Sequence, residues 1–246
     1  MDKLLYTAMT GAKHTFLQQA GVSNNLANVS TIGFKAMEHR FRAVEVQQSE
    51  SAYASRAFVV DASVANVFDE GPLQFTGNPL DIAVDGKGWI AVRDSAGQEA
   101  YTRAGALMID SDGILRTKSG NAVLGDGGDD IVIPPENAIE IGADGSITAT
   151  PTTGNLNQAN VVGRIKLVNP DEGVLERGAD GFFRGGTGEL DENVRLASGV
   201  LEQSNVNVTD AIVNLISLSR QFELQIQMMQ SADENAQRAD QLLSLT

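Results

Sequence analysis

Two histidines, His14 and His39, and the acidic turn Asp110-Ser111-Asp112-Gly113 come closest, by residue type and spacing, to a site that could do chemistry. An EF-hand calcium loop needs its glycine at position 6 and a bidentate acid at position 12. Counted from Asp110, those positions hold Leu115 and Asn121, so the run reads as a hairpin turn. The glycines of Gly86-Lys87-Gly88 and Gly125-Asp126-Gly127-Gly128 lack the spacing of a dinucleotide or P-loop fingerprint, and turn geometry accounts for them. His14 has no acid at a helical ligand spacing, and the chain has no cysteine, which argues against a transition-metal site. A nucleophilic triad would need one of the two histidines as its base, yet both fall outside the stretch that reads as a folded β domain. None of the 32 Asp and Glu residues sits in an apolar run that would mark an unusual carboxyl. The expectation is a chain that is not an enzyme and takes no metal and no cofactor.

What the chain does offer is pattern. Its 246 residues are ample for a core, and 18 Lys plus Arg against 32 Asp plus Glu leave a net charge of −14. That balance argues against a nucleic-acid or anionic-membrane partner. The charge is uneven: residues 1–42 carry +3, residues 43–200 carry −13 and residues 201–246 carry −4. Opposite signs at the two ends favour their lying side by side, though exposed pairs contribute little. No run approaches the roughly 20 apolar residues that span a bilayer, so no membrane insertion is expected. Polar residues interrupt every apolar run of residues 1–30, and export without a cleaved Sec leader is expected.

From Val208, steps of three and four residues reach Ala211, Leu215, Leu218, Phe222, Gln225, Met229, Ala232, Ala236, Ala239 and Leu243, apolar except at Gln225. This is a heptad seam over five repeats, with Asn207 placed to cap the first turn and Asp210 suited to its positive end. Ile212, Ile216 and Ile226 add a second partial stripe, which calls for more than one neighbour. An ordinary bundle helix inside a globular core is the plainer alternative. At the other end Leu5, Met9, Ala12, Phe16, Gln19, Ser23 and Leu26 form a weaker seam on a helix from about Asp2 to Asn28, with Gly11 and Gly21 costing about 1 kcal/mol each relative to Ala. Between these ends, short β runs alternate with turns such as Asp85-Gly86, Asp112-Gly113 and Asp144-Gly145, a strong hairpin signal.

The fold class expected is α+β. Two long terminal α-helices form an antiparallel coiled-coil-like pair, and a mostly antiparallel β domain of hairpins occupies the middle of the chain. The organisation expected is an N-terminal helix in 1–30, an extended connector with short strands in 31–70, the β domain in 71–198 and the C-terminal helix in 199–246.

The segment Asn24-Asn25-Leu26-Ala27-Asn28-Val29-Ser30-Thr31-Ile32-Gly33-Phe34-Lys35 resembles the N-terminal signature of the bacterial flagellar rod and hook proteins. Gly71-Pro72-Leu73-Gln74-Phe75-Thr76-Gly77-Asn78-Pro79-Leu80-Asp81 and Ser198-Gly199-Val200-Leu201-Glu202-Gln203-Ser204-Asn205-Val206-Asn207 are similar to motifs shared across that family. Residues 36–70 and 150–195 carry little of the likeness. Tyr6-Thr7-Ala8-Met9 and the close from Arg238 to Leu243 are most similar to the proximal-rod members. The resemblance implies a structural subunit of the proximal rod, its terminal helices lining a torque-transmitting tube with the β domain outside. It implies as partners copies of itself, neighbouring proximal and distal rod subunits and the flagellar type III export apparatus, in a rod that crosses the periplasm. A distal rod protein and, outside the class, an autonomous coiled-coil oligomer presenting a β binding domain are the rival readings. The assembly interface expected is Leu5, Met9, Ala12, Phe16, Leu26 and the seam from Val208 to Leu243. Asn25 and Asn28 either cap the helix end or bond to neighbouring subunits.

Overall fold

The computed structural model describes residues 2–45, 57–135, 137–151 and 160–243. These divide into two compact units. The helical unit comprises residues 1–29, 36–67 and 206–246; the β unit comprises 30–35 and 68–205.

Helix α1 spans Asp2–Ala27 and helix α2 spans Val208–Leu243, 36 residues and so about 54 Å long. Both extents agree with the seams read from sequence. The Asn207 side chain accepts from the Thr209 amide at 3.0 Å and from the Asp210 amide at 3.4 Å, the N-cap that its position suggested. The two helices pack on one another. Gly11 of α1 faces Gln225 of α2. Gly11 lies 16 residues before the end of α1 and Gln225 17 residues after the start of α2, matching offsets that suit opposite chain directions. Residues 31–70, expected as an extended connector with short strands, contain a long antiparallel hairpin of β1 (Met37–Glu45) and β2 (Ala57–Asn66), with a register shift at Arg40/Phe41. This hairpin packs on α1.

The β unit is built from short antiparallel strands in chain order: β3 (Leu73–Phe75), β4 (Ile82–Asp85), β5 (Trp89–Arg93), β6 (Glu99–Thr102), β7 (Leu107–Ile109), β8 (Leu115–Thr117), β9 (Ala122–Val123), β10 (Asn137–Ile141), β11 (Ser146–Pro151), β12 (Asn160–Arg164), β13 (Leu167–Val168), β14 (Glu176–Arg177), β15 (Phe183–Arg184), β16 (Arg195–Ser198) and β17 (Val200–Glu202). The main sheet runs β14-β15-β6-β5-β9-β8-β7, with β13 also joined to β5. A smaller sheet runs β10-β11-β12, and β16 pairs with β4 and β17 with β3. Strand β5 lies between the two apolar clusters of this unit. Its Ile90 and Val92 enter one apolar cluster with Ile82, Leu115, Val123, Ile147 and Ile165, while Trp89 and Ala91 enter another with Tyr101, Leu124 and Phe183. Alternate residues point to opposite faces, so a strand covered on both faces is apolar throughout.

The turn at Asp110 is a hairpin turn as expected. Gly113 has φ 79° and its amide donates to the Asp110 carbonyl at 2.9 Å. The Asp110 carboxylate accepts from the Ser111 amide and from Arg116 Nε at 2.8 Å, and these bonds hold it below the usual aspartate value. Among the described residues no group of three or more His, Asp or Glu is placed to hold a metal ion. No described helix is long and apolar enough to cross a membrane.

Candidate assembly interface

Helix α1 has neighbours on two of its faces. Gly11 lies against α2, and its missing side chain is used: a Cβ there would stand 3.3 Å from Gln225 Nε2. The adjacent face meets the hairpin, where Gly21 lies under His39 and the His14 ring meets Phe41 edge-on at 5.0 Å. Asn25 spends its whole amide on the same hairpin, donating to the Met37 carbonyl at 2.8 Å and accepting from the Met37 amide at 2.9 Å. Asn28 Nδ2 donates to the Asn24 carbonyl at 2.9 Å and closes the last helical turn. Of the two roles weighed for these asparagines, the structure gives both of them bonds within the chain.

The described residues buried on α1 are small: Ala8, Ala12, Thr15 and Gly21. Ala8 and Thr15 had no place in the seam read from sequence, although their spacing of seven residues was there to see. Leu5, Met9 and Phe16 of that seam are exposed instead. On α2 the seam turns inward. Ala211 is buried and Leu215, Leu218, Phe222, Gln225, Met229 and Ala232 are half-buried, as is Leu26 of α1, while Val208 is exposed. The side chains of Ala236, Ala239 and Leu243 lie outside the described residues. Ile212 and Ile216 of the second stripe stand in solvent with Val213, Leu224 and Met228, whereas Ile226 is half-buried. The pair therefore keeps its inner seam and presents a large apolar margin.

The β unit itself holds a buried ionic cluster. Lys35 Nζ meets Glu202 Oε1 at 2.7 Å and Arg103 Nη1 meets Glu202 Oε2 at 3.1 Å, with side-chain exposures of 0% for Lys35, 1% for Glu202 and 4% for Arg103. Backbone groups complete it: Lys35 Nζ donates to the Asp69 carbonyl at 2.8 Å, Arg103 Nη2 to the Gly86 carbonyl at 2.8 Å, and the Gly71 amide to Glu202 Oε1 at 3.0 Å. Burial pulls the Lys35 ammonium below its ordinary value, and the bond to Glu202 opposes that pull. Arg177 donates to the Lys35 carbonyl at 2.9 Å and lies over the Phe34 ring at 4.3 Å. Two glycines make room. A Cβ on Gly71 would come within 1.9 Å of the Gln203 carbonyl oxygen, and one on Gly33, which has φ 68°, within 2.3 Å of the Arg103 backbone. Sequence reasoning missed this cluster because Lys35 and Glu202 are 167 positions apart. The only local trace is a lone charge in each of two otherwise apolar or turn-forming motifs.

Three regions of the chain match described families: "Flagella basal body rod protein" over residues 5–35, "Flagellar hook protein FlgE/F/G D1 domain" over 83–149 and "Flagellar basal body rod FlgEFG protein C-terminal" over 197–242. Two long terminal helices around a β unit, with matches on all three, define an axial subunit of the flagellum. Over 100% of both chains the sequence is 39% identical to the flagellar basal-body rod protein FlgF of Escherichia coli K12, and equally to that of Salmonella typhimurium LT2. It is 28% identical to the rod protein FlgG of Bacillus subtilis, over 95% of this chain and 96% of that one. The chain belongs to the flagellar basal-body rod protein family and is a structural subunit of that rod.

Proposed function

We propose that α1 and α2 assemble with the same helices of further copies and of neighbouring rod subunits, forming the coiled-coil-like wall of a tubular shaft in the proximal rod. The observation that carries this reading is the apolar margin left uncovered on the helix pair: Phe16 is 59% exposed, Leu224 62% and Met228 55%. Side chains of this size gathered on one helical unit mark an association surface. Val208, Leu5 and Met9 extend it, and the inner seam from Ala211 to Ala232 holds each pair together. Delivery through the flagellar type III export apparatus, into a rod that crosses the periplasm, is part of the same proposal, and membership of the rod family supports it. Torque passes from copy to copy by packing alone.

The test replaces Phe16, Leu224 and Met228 together by Ser in a strain whose own copy is deleted. The variant is expected to be exported, to keep the 222 nm circular dichroism of the purified wild type and to leave the strain non-motile, with no rod beyond this subunit's layer in electron micrographs. Normal swimming with this variant would sink the proposal. A closed small oligomer of the wild type in sedimentation, its helices already protected from exchange, would favour the autonomous coiled-coil module instead.

A further inference from the structure

The chain passes between its two units at four points: 29/30, 35/36, 67/68 and 205/206. On the β side, these points are tied to one another through a small set of residues, Gly33, Phe34, Lys35, Asp69, Glu202 and Asn205. Three residues after the first crossing, the Gly33 amide donates to the Glu202 carbonyl at 2.8 Å. At the second, Lys35 is the last residue before the chain leaves, and its Nζ holds both Glu202 and the Asp69 carbonyl. Just after the third lies Asp69, whose carbonyl also accepts from Asn205 Nδ2 at 3.0 Å. At the fourth, the Asn205 amide reaches back to the Phe34 carbonyl at 3.3 Å. Neither Lys35, Arg103 nor Glu202 belongs to the two apolar clusters that hold the strands together.

We propose that Lys35, Arg103 and Glu202 form a clasp that gathers all four crossings, closing the β unit around its chain ends independently of the strand core. Load carried along α1, the hairpin or α2 then enters the β unit at one buried charge cluster and not at four separate threads. The physical reason lies in desolvation. Once Glu202 is neutral, two cations are enclosed without a counter-charge, and the segments carrying them open to water in order to solvate them.

The experiment is hydrogen exchange on the full-length monomer, read by mass spectrometry for three chains: wild type, Glu202→Gln, and the apolar replacement Lys35→Met/Arg103→Met/Glu202→Leu. In Glu202→Gln, residues 30–35, 69–71 and 200–205 are expected to exchange faster by about a hundredfold or more, while β5, β6 and β9 keep wild-type rates. The apolar replacement is expected to return the same segments to within about tenfold of wild type, since well-packed apolar groups can stand in for a buried ionic cluster. Equal acceleration across the β unit, global unfolding of Glu202→Gln, unchanged exchange, or failure of the apolar replacement to restore protection would each overturn the clasp. All readings are made on the monomer, so they stand or fall apart from the assembly proposed above.

Discussion

In the β unit the residues wholly removed from water include the large Ile82, Ile90, Val92, Leu115, Val123, Ile147, Ile165 and Val168 beside Ala83, Ala91 and Ala100. Among the described residues of the helical unit the buried ones are small, Ala8, Ala12, Thr15, Gly21 and Ala211, and Tyr6, Met9, Phe16, Leu224 and Met228 stand in solvent. The first region packs many large aliphatic side chains into its own core, though Leu73 and Phe75 of β3 stay outside it, while the second buries only small ones and leaves many large ones uncovered. Since fully burying a Leu- or Phe-sized side chain is worth about 1.5–3 kcal/mol, the first can be stable alone while much of what would stabilise the second waits for other chains. Trp89, the single tryptophan, is buried in the β unit, and both long helices belong to the other. Fluorescence and 222 nm dichroism therefore follow the two regions separately.

The largest effect that would sharpen this contrast comes from Leu115→Ala. It should lower the stability reported by Trp89 fluorescence in urea by about 3 kcal/mol, while the helical signal of the same sample keeps its own midpoint. A helical midpoint that moved in step would make the two regions one cooperative body.

Acid should separate them next. Arg184 holds Asp94 and Asp180 below the ordinary aspartate value of 3.8, and bonds from Ser146 and Asn193 do the same for Asp144 and Asp191. A carboxyl depressed in the folded state contributes stability above its unfolded value and loses that contribution as pH falls through the folded one. The Trp89 midpoint is thus expected to hold steady from neutral pH to about 4 and to decline only below it. Decline already at pH 6 would mean that other groups govern the β unit.

The smallest effect is the most telling. Phe16→Ala should change the stability of the monomer by no more than about 0.5 kcal/mol, as for other exposed positions. A loss as large as that of Leu115→Ala would show that Phe16 is packed within its own chain, and the contrast between the regions would fail.

Much of this plan was legible in the sequence. The seam from Ala211 to Ala232 announced α2 and its inner face because heptad spacing maps directly onto one side of a helix. The Asp-Gly pairs announced the hairpins because their φ requirements are local. On α1 the seam of Leu5, Met9 and Phe16 is an outward face of the single chain, and the face turned inward is a different one. The face that packs was chosen by how closely backbones approach at Gly11, Ala8, Ala12 and Thr15, not by apolar size. Short strands were expected where β1 and β2 lie, but their weak alternation did not reveal one long hairpin, and its place on α1 depends on Asn25 meeting Met37, a contact no periodicity encodes. The Lys35–Glu202 pair was out of reach for a like reason, since it exists only after the chain has closed on itself.

Gln225 brings one further consequence. It is the only polar side chain among the described members of the α2 seam, its Oε1 is enclosed with no donor among the described residues, and it fits because Gly11 leaves it space. Sliding α2 by one turn, about 5.4 Å, would push an enclosed amide against bulkier neighbours and leave the notch at Gly11 empty. The helix pair thus has a detent, a single axial stop. Every copy would then offer its neighbours a helix pair set at one and the same offset.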